Sequence, residues 1–173
     1  ELMQAMGLPV IQAPGESDAQ IAFMCEQSDV YAAATSDMDS LLYGCPRTVT
    51  NLTLSQRRKL PNGNYVKITP ELVEVDEVLK ALDITQDQLL VIGILVGTDY
   101  HPGVHRVGPK TALKLVKQYQ SFDELFREVD PDFNWKQIYA VFKSMPIMKN
   151  YQVYWKPVDA EKNKEFFVEQ QDF

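Results

Sequence analysis

The sequence predicts an α/β fold, with a mostly parallel sheet flanked by helices and followed by a mainly helical region. The first 69 residues alternate short apolar runs, typical of buried strands, with stretches of helical periodicity. From Pro70 onward almost every segment has the apolar spacing of a helix. Because strand, helix and strand in succession favour parallel pairing in a covered sheet, we predict an α/β domain at 1–95 and a helical region at 96–173.

Apolar runs and the residues that interrupt them predict the elements in order. Gly7 ends a short helix, Gly44 closes a helical turn, and the residues PNGN at 61–64 carry a hairpin turn signal. In the first half we predict a helix at 1–6, a strand at 8–13, a helix at 16–27, a strand at 29–35, a helical turn at 39–44, and strands at 47–53 and 64–70. In the second half we predict helices at 70–82, 85–97, 109–120, 121–129, 134–145 and 159–169.

Composition narrows the class of protein. Hydrophobic residues make up 45% of the chain and charged residues 24%, which is ordinary for a soluble globular domain. We find no run of 18 apolar residues that predicts a membrane span and no secretory signal. Two cysteines do not indicate a disulfide framework, so an intracellular, reducing compartment is expected. The net charge of −7, taken alone, argues against nucleic-acid binding.

Five carboxylates are the strongest chemical signal. Two pairs directly follow the first two predicted strands, and a fifth acid ends the apolar helix predicted at 85–97. Ligands of open α/β sheets bind at the carboxyl ends of the strands. Clustered carboxylates repel one another unless cations lie between them, and carboxylate-only sites typically hold Mg²⁺ or Mn²⁺ and act on phosphate esters. The candidate metal-binding and catalytic residues are Glu16, Asp18, Asp37, Asp39 and Asp99.

Each acid also has a purely structural interpretation. Ser17 and Gln20 match a helix capping box, acids in a first helical turn are favoured by the helix dipole, and the other acids suit turns. These interpretations are weaker for the five acids taken together. A competing zinc site is not indicated, because His101 and His105 lack paired ligands at a suitable spacing.

The segment 101–122 is basic within an acidic chain. It contains one arginine, three lysines and no acid, and the lysines at i, i+4 and i+7 share one helical face. Gly108 and Pro109 open this helix, and a glycine-bounded turn before a helix suits a phosphate. A solvated basic face is one alternative. A P-loop is another, although Pro109 interrupts its pattern and a helix, not a strand, precedes it.

The motifs QAPGESDAQIAFM, VYAAATSDMDSLLYG, ILVGTDYHPGVHRVGPKTALKLV and YWKPVD together resemble the flap endonucleases of the archaeal and eukaryotic structure-specific 5′-nuclease family. The resemblance covers nearly the whole chain. It implies a PIN-like fold and a phosphodiesterase with two Mg²⁺ ions, or Mn²⁺, that removes 5′ flaps from branched DNA in replication and repair, as an endonuclease and 5′–3′ exonuclease.

The resemblance also assigns roles to residues. The five acids fall on metal-site acids of the family, with Asp18 where many relatives have Glu. The segment 103–111 falls on a helix–two-turn–helix that grips the duplex backbone and can hold K⁺ on turn carbonyls. The residues expected to contact DNA are Gly103, Arg106, Gly108, Lys110, Thr111, Lys114 and Lys117.

Several features of the family are not found in this sequence, and their absence leaves alternative functions open. Two further metal-site acids, a helical arch and a sliding-clamp motif are not found, so this chain is expected to be the internal and C-terminal part of a nuclease core. The expected partners are branched DNA, the N-terminal half of that core, and a sliding clamp reached through a tail. The alternatives are a fragment that only binds duplex DNA, a related nuclease for bubbles or junctions, and an RNA-directed PIN-like nuclease. The expected compartment is the nucleus in a eukaryote and the cytoplasm in an archaeon.

Overall fold

A computed structural model describes residues 2–53 and 55–170. The chain forms two compact units, of which the larger is Gly15–Pro146 and the smaller combines Glu1–Pro14 with Ile147–Phe173. The predicted functional boundary at residue 95 remains a prediction. Among the described residues, none of the helices combines the length and the apolar character needed to span a bilayer.

The strands of the larger unit form a small mixed sheet and a separate hairpin. The strands are β1 (Ala33–Ala34), β2 (Arg47–Thr50), β3 (Arg57–Lys59), β4 (Tyr65–Lys67) and β5 (Glu71–Glu74). In the sheet, β1 pairs with β2 in parallel, with Ala33 opposite Thr48, and β2 pairs with β5 in antiparallel register. The predicted α/β class is confirmed, with a sheet that has one parallel and one antiparallel pairing.

Two predicted strands and the start of one predicted helix differ from the structure. Residues 8–13 form no described strand, and β1 is much shorter than 29–35, because an apolar run becomes a strand only where a neighbour pairs with its backbone. Residues 71–74, predicted as helix, form β5 because they pair along β2. The PNGN turn is confirmed, but it joins β4 to β3 and not to β2. Residue 54, between the strands predicted at 47–53 and 64–70, lies outside the described residues.

The helices of the larger unit enclose its main core. They are α2 (Ser17–Glu26), α3 (Asp39–Leu42), α4 (Val75–Leu82), α5 (Gln86–Val96), α6 (Pro109–Gln118), α7 (Phe122–Val129) and α8 (Trp135–Lys143), after α1 (Leu2–Ala5) in the smaller unit. The fully buried Ile94 and Leu95 of α5 pack in one apolar cluster with Val116 of α6 and Leu125 of α7. The side-chain amide of Gln88 donates to the carbonyl of Val116 at 2.9 Å, so α5 and α6 are joined by packing and by a hydrogen bond.

The smaller unit is built on a close backbone approach. Gly7 ends α1 with φ +77°, and a Cβ there would lie within 3.0 Å of the Lys156 carbonyl carbon, so the position requires glycine. The Gly7 carbonyl accepts from the amide of Lys156 at 2.9 Å. The helix predicted at 159–169 is present as α9 (Ala160–Lys164) followed by a π-helix, Glu165–Gln170. The N-terminal helix is confirmed over 2–5, and position 1 lies outside the described residues.

Candidate active site

Three separate segments of the larger unit carry the five predicted acids. Glu16 is the N-cap of α2 and Asp18 lies in its first turn. Asp37 and Asp39 lie between β1 and α3, with Asp39 the first residue of α3. Asp99 follows the end of α5 at Val96. The capping box predicted for Ser17 and Gln20 is not formed, because Glu16 is the N-cap and makes no side-chain cap hydrogen bond.

Local hydrogen bonds shape the segment that carries the central pair. The amide of Asp37 donates to the Thr35 hydroxyl and the amide of Asp39 donates to Asp37 Oδ1, both at 3.0 Å. The buried hydroxyl of Ser40 lies 3.0 Å from that of Thr48, which ties α3 to β2. These bonds give the segment a defined turn, and Asp39 stays half-buried.

A side chain from a distant helix holds the other end of α3. Gln86 Nε2, on α5, donates to the carbonyls of Leu41 and Leu42 at 2.8 and 3.1 Å. The last carbonyls of a short helix have no partner within the helix, so this amide supplies one. The position of Asp39 at the start of α3 therefore depends on α5 as well as on β2.

Electrostatic coupling shows that the three acidic segments converge. Burial is the largest cause that raises the pKa of Asp39, followed by the charges of Asp37, Asp99, Asp18 and Glu16. Burial also raises the pKa of Asp18, with further contributions from Asp37, Glu16 and Asp99. Because the other four acids all act on Asp39, the structure brings all five predicted acids into one group, which we call the acidic cluster.

The acidic cluster fits a hard divalent cation by the chemistry of its donors. It offers only carboxylate oxygens, the ligands that Mg²⁺ and Mn²⁺ prefer, and a cation would relieve the repulsion among them. Across residues 2–53 and 55–170, however, no three His, Cys, Asp or Glu side chains are arranged to hold one ion. The described residues thus supply suitable ligands, which are near one another but not closed around a single point.

Two tyrosines that the sequence analysis did not single out lie beside the acidic cluster. The Tyr100 hydroxyl donates to Glu16 Oε1 at 3.2 Å and lies 3.3 Å from the Tyr43 hydroxyl. Both rings pack on Phe142 of α8, with ring centroids 5.4 Å apart for Tyr100 and 4.9 Å for Tyr43. Tyr100 follows Asp99 directly, which is a signal available in the sequence, but nothing in the sequence pairs it with Tyr43 or Glu16.

The turn between α5 and α6 folds back on the end of α5. The amide of Val104 donates to the carbonyl of Leu95 at 2.8 Å. Gly103 is buried with φ +82°, and a Cβ there would lie closer than 3.0 Å to the backbone of Val96 and Gly97. Its amide donates to His101 Nδ1 at 3.0 Å. This close packing requires glycine at 103 and fixes where α6 begins.

Helix α6 carries the three lysines that the sequence predicts on one helical face. Gly108 is its N-cap and Pro109 its first residue. Lys110, Lys114 and Lys117 are exposed, and within the part of the chain that the structure describes they form no ion pair. We call these three lysines the basic face.

The remaining predicted DNA contacts lie at the start of α6 or in the turn before it. Arg106 is exposed in the left-handed backbone region, with φ +63°, and Thr111 is exposed in the first turn of α6. The element before this turn is the helix α5. A P-loop needs a strand there, so the P-loop alternative is wrong.

Comparison with known proteins assigns the family. Residues 7–99 match the family model described as the XPG I-region, a match that covers more than half of the chain and contains all five acids. The chain belongs to the XPG I-region family. The resemblance to structure-specific 5′ nucleases is thereby confirmed.

Relatives of this XPG I-region chain include flap endonucleases of archaea. Flap endonuclease 1 of Hyperthermus butylicus is 47% identical over 182 residues, covering 100% of this chain and 51% of the relative. Flap endonuclease 1 of Pyrococcus horikoshii is 44% identical over 179 residues, with the same coverage. The chain therefore spans about half the length of these curated relatives.

Solved structures confirm the fold. Flap endonuclease-1 from Methanococcus jannaschii matches 99% of this chain and 50% of its own, with a TM-score of 0.83 at 36% identity. The catalytic core of Rad2 matches 99% of this chain and 66% of its own, with a TM-score of 0.79 at 19% identity. This second similarity shows that the nuclease-core fold of the XPG I-region chain persists at low identity.

Proposed function

We propose that this chain is part of a structure-specific 5′ flap endonuclease and 5′–3′ exonuclease that hydrolyses phosphodiester bonds in branched DNA during replication and repair. The observation that carries the proposal is the acidic cluster, in which burial and the charges of carboxylates from three segments raise the pKa of Asp18 and Asp39. Unpaired charge of one sign is costly to assemble. A site that assembles it suits cations and the phosphate they accompany.

In the proposed mechanism the acidic cluster binds two Mg²⁺ ions. Asp37 and Asp39 are the proposed direct ligands, and Glu16, Asp18 and Asp99 bind directly or through water. When bound, such ions supply an attacking water of lowered pKa and stabilise the leaving 3′ oxygen. The turn at 35–39 keeps the central pair oriented by its two hydrogen bonds, so the chain contributes preorganised ligands.

The proposed DNA grip lies on α6 and the turn before it. The basic face and Arg106 are exposed cations without ionic partners among residues 2–53 and 55–170, so they are available to phosphates. Amides at the start of α6 suit a phosphate as well. Such contacts position a duplex without reading its bases. We further propose that turn carbonyls bind K⁺ and that the protein works inside the cell with branched DNA, the other half of the core and a sliding clamp.

The deciding experiment is incision of a labelled 5′-flap DNA by this chain in Mg²⁺ and in EDTA, with binding measured separately by gel shift. We expect incision near the junction in Mg²⁺ only, and little incision of a linear duplex of the same sequence. Equal incision in EDTA would contradict the metal-dependent mechanism. Loss of both incision and binding would contradict the assignment to a flap nuclease.

A second candidate function for this chain is a duplex-binding module without catalysis. In the described part of the chain no three ligand side chains are arranged around one ion, whereas the basic face is complete on one helix. This alternative predicts a salt-sensitive gel shift with no incision in Mg²⁺, and restored incision when the N-terminal half of a relative is added. A related nuclease for bubbles or junctions would instead incise those substrates faster than the flap.

A further inference from the structure

Three acid-bearing segments meet through one short chain of hydrogen bonds. Tyr43 is the C-cap of α3, the helix that begins at Asp39, and Tyr100 follows Asp99. Tyr100 reaches Glu16, which is 84 residues away in sequence and is the N-cap of the helix carrying Asp18. The path Tyr43–Tyr100–Glu16 therefore links every segment that contributes to the acidic cluster.

The direction of each hydrogen bond follows from the groups involved. An ionised carboxylate only accepts, so the Tyr100 hydroxyl donates its single proton to Glu16 Oε1. The oxygen of Tyr100 then accepts from Tyr43, whose hydroxyl lies 3.3 Å away. A tyrosine hydroxyl keeps its proton at neutral pH, so each of the two has one proton to donate. The hydrogen bonds therefore run in one direction: Tyr43 donates to Tyr100, and Tyr100 donates to the Glu16 carboxylate.

The tyrosine rings are anchored separately from their hydroxyls. Phe142 of α8 is 7% exposed and lies against both rings, edge-on to Tyr100 at 89° between ring planes. A phenylalanine at either position would keep this packing. Packing therefore does not explain the two hydroxyl groups. Their contribution is the pair of hydrogen bonds that ends at the Glu16 carboxylate.

We propose that Tyr100 is a positioning residue that orients Glu16 within the acidic cluster, and that Tyr43 fixes the orientation of the Tyr100 hydroxyl. Glu16 is exposed and other carboxylates of the acidic cluster lie near it. The hydrogen bond from Tyr100 holds one of its oxygens and leaves the other for a cation. This inference rests on the proposed function for the identity of the cation. Partners that orient metal ligands typically change metal affinity by about 10–100-fold when removed.

The first test is Mn²⁺ binding to this chain, measured by calorimetry without DNA. We expect Tyr100→Phe to weaken binding about tenfold and Tyr43→Phe about threefold. The matched control, Tyr65→Phe, removes an exposed hydroxyl on β4 and is expected to leave binding unchanged. In a Glu16→Ala background, Tyr100→Phe is expected to add nothing, because the tyrosine acts only through that carboxylate.

The second test needs no metal and separates this inference from the proposed function. The Glu16 ¹³Cδ resonance, assigned by its loss in Glu16→Gln, is expected to move in Tyr100→Phe and not in Tyr65→Phe. An unmoved resonance would overturn the positioning role, as would a Tyr100→Phe effect on Mn²⁺ affinity that is absent or that persists in Glu16→Ala. A wild-type chain that binds no Mn²⁺ would contradict the proposed function, and the resonance would still decide the role of Tyr100.

Discussion

The acidic cluster and the basic face are built in opposite ways. The basic face is local, since three lysines on α6 are brought together by helical spacing alone. The acidic cluster is tertiary, since its members come from three segments that meet only when α2, α3 and the end of α5 are in place. A net charge of −7 describes neither region. We conclude that charge must be located in the fold before it is used to infer a ligand.

The largest expected effect comes from breaking the acidic cluster directly. Asp39→Asn removes a proposed ligand with little change in size, and we expect the Mn²⁺ affinity of the chain to fall about 100-fold, because even outer partners of a metal ligand cost 10–100-fold. Calorimetry at neutral pH measures it. The control is Asp132→Asn, an exposed acid in the loop before α8, and an equal loss in the control would mean that nonspecific charge attracts the ion.

A second change tests the turn that joins the two regions. Gly103→Ala places a Cβ against the backbone of Val96 at φ +82°, so we expect the free energy of unfolding to fall by about 2 kcal/mol or more. Gly108→Ala is the matched control, because a Cβ there meets no atom within 4 Å and φ is −95°. Urea denaturation compares the two. Similar losses in both variants would contradict a specific close contact at Gly103.

A third change removes the basic face while leaving the acidic cluster intact. The triple variant Lys110→Ala, Lys114→Ala and Lys117→Ala is expected to bind duplex DNA about tenfold more weakly. The slope of log affinity against log salt is expected to become less steep by about 2.7, because three phosphate contacts are lost. A salt titration of binding measures both quantities.

The control for the lysine variant changes net charge equally at other sites. Lys80, Lys149 and Lys164 are exposed and lie outside the basic face. We expect their replacement by alanine to change the salt slope much less. An equal change in both triple variants would show that DNA responds to overall charge and not to the face on α6.

The smallest expected effect is on the pH dependence of stability. The pKa values of Asp18 and Asp39 are raised in the folded chain, so the folded state binds protons more readily at these sites than the unfolded state. Their unfavourable contribution is absent below the unfolded value of 3.8 and grows as pH rises through the folded values. Lowering the pH toward 3.8 should therefore increase the stability of the folded chain through these two sites.

Variants and metal separate this contribution from the rest of the titration. Asp87 acts in the opposite direction, since its hydrogen bond with Lys143 lowers its pKa. We therefore compare wild type with Asp18→Asn/Asp39→Asn by thermal unfolding from pH 4 to 8. The wild type is expected to lose more stability than the double variant as pH rises, and Mg²⁺ is expected to reduce the difference. A parallel pH dependence in both chains would contradict the coupling.

Local patterns in the sequence were sufficient for most of the helical half. Apolar spacing predicted α5 to α8 to within a few residues, because each helix satisfies its own backbone and needs only one apolar stripe. The strands were predicted less well. Residues 8–13, predicted as a strand, form no described strand, and residues 71–74, predicted as helix, form β5, because a strand depends on which partner lies beside it.

The sequence by itself determined the class of fold, the identity of the five acids and the lysine spacing on α6, because these depend on residue type and short-range periodicity. Only the tertiary structure decided that the five acids lie in one cluster, that Gln86 on α5 hydrogen-bonds to the end of α3, and that Tyr43 and Tyr100 form a chain of hydrogen bonds to Glu16. The contacts made by Gln86, Tyr43 and Tyr100 each join residues more than 40 positions apart. The physical reason is that such contacts arise from packing between elements, which local periodicity does not encode.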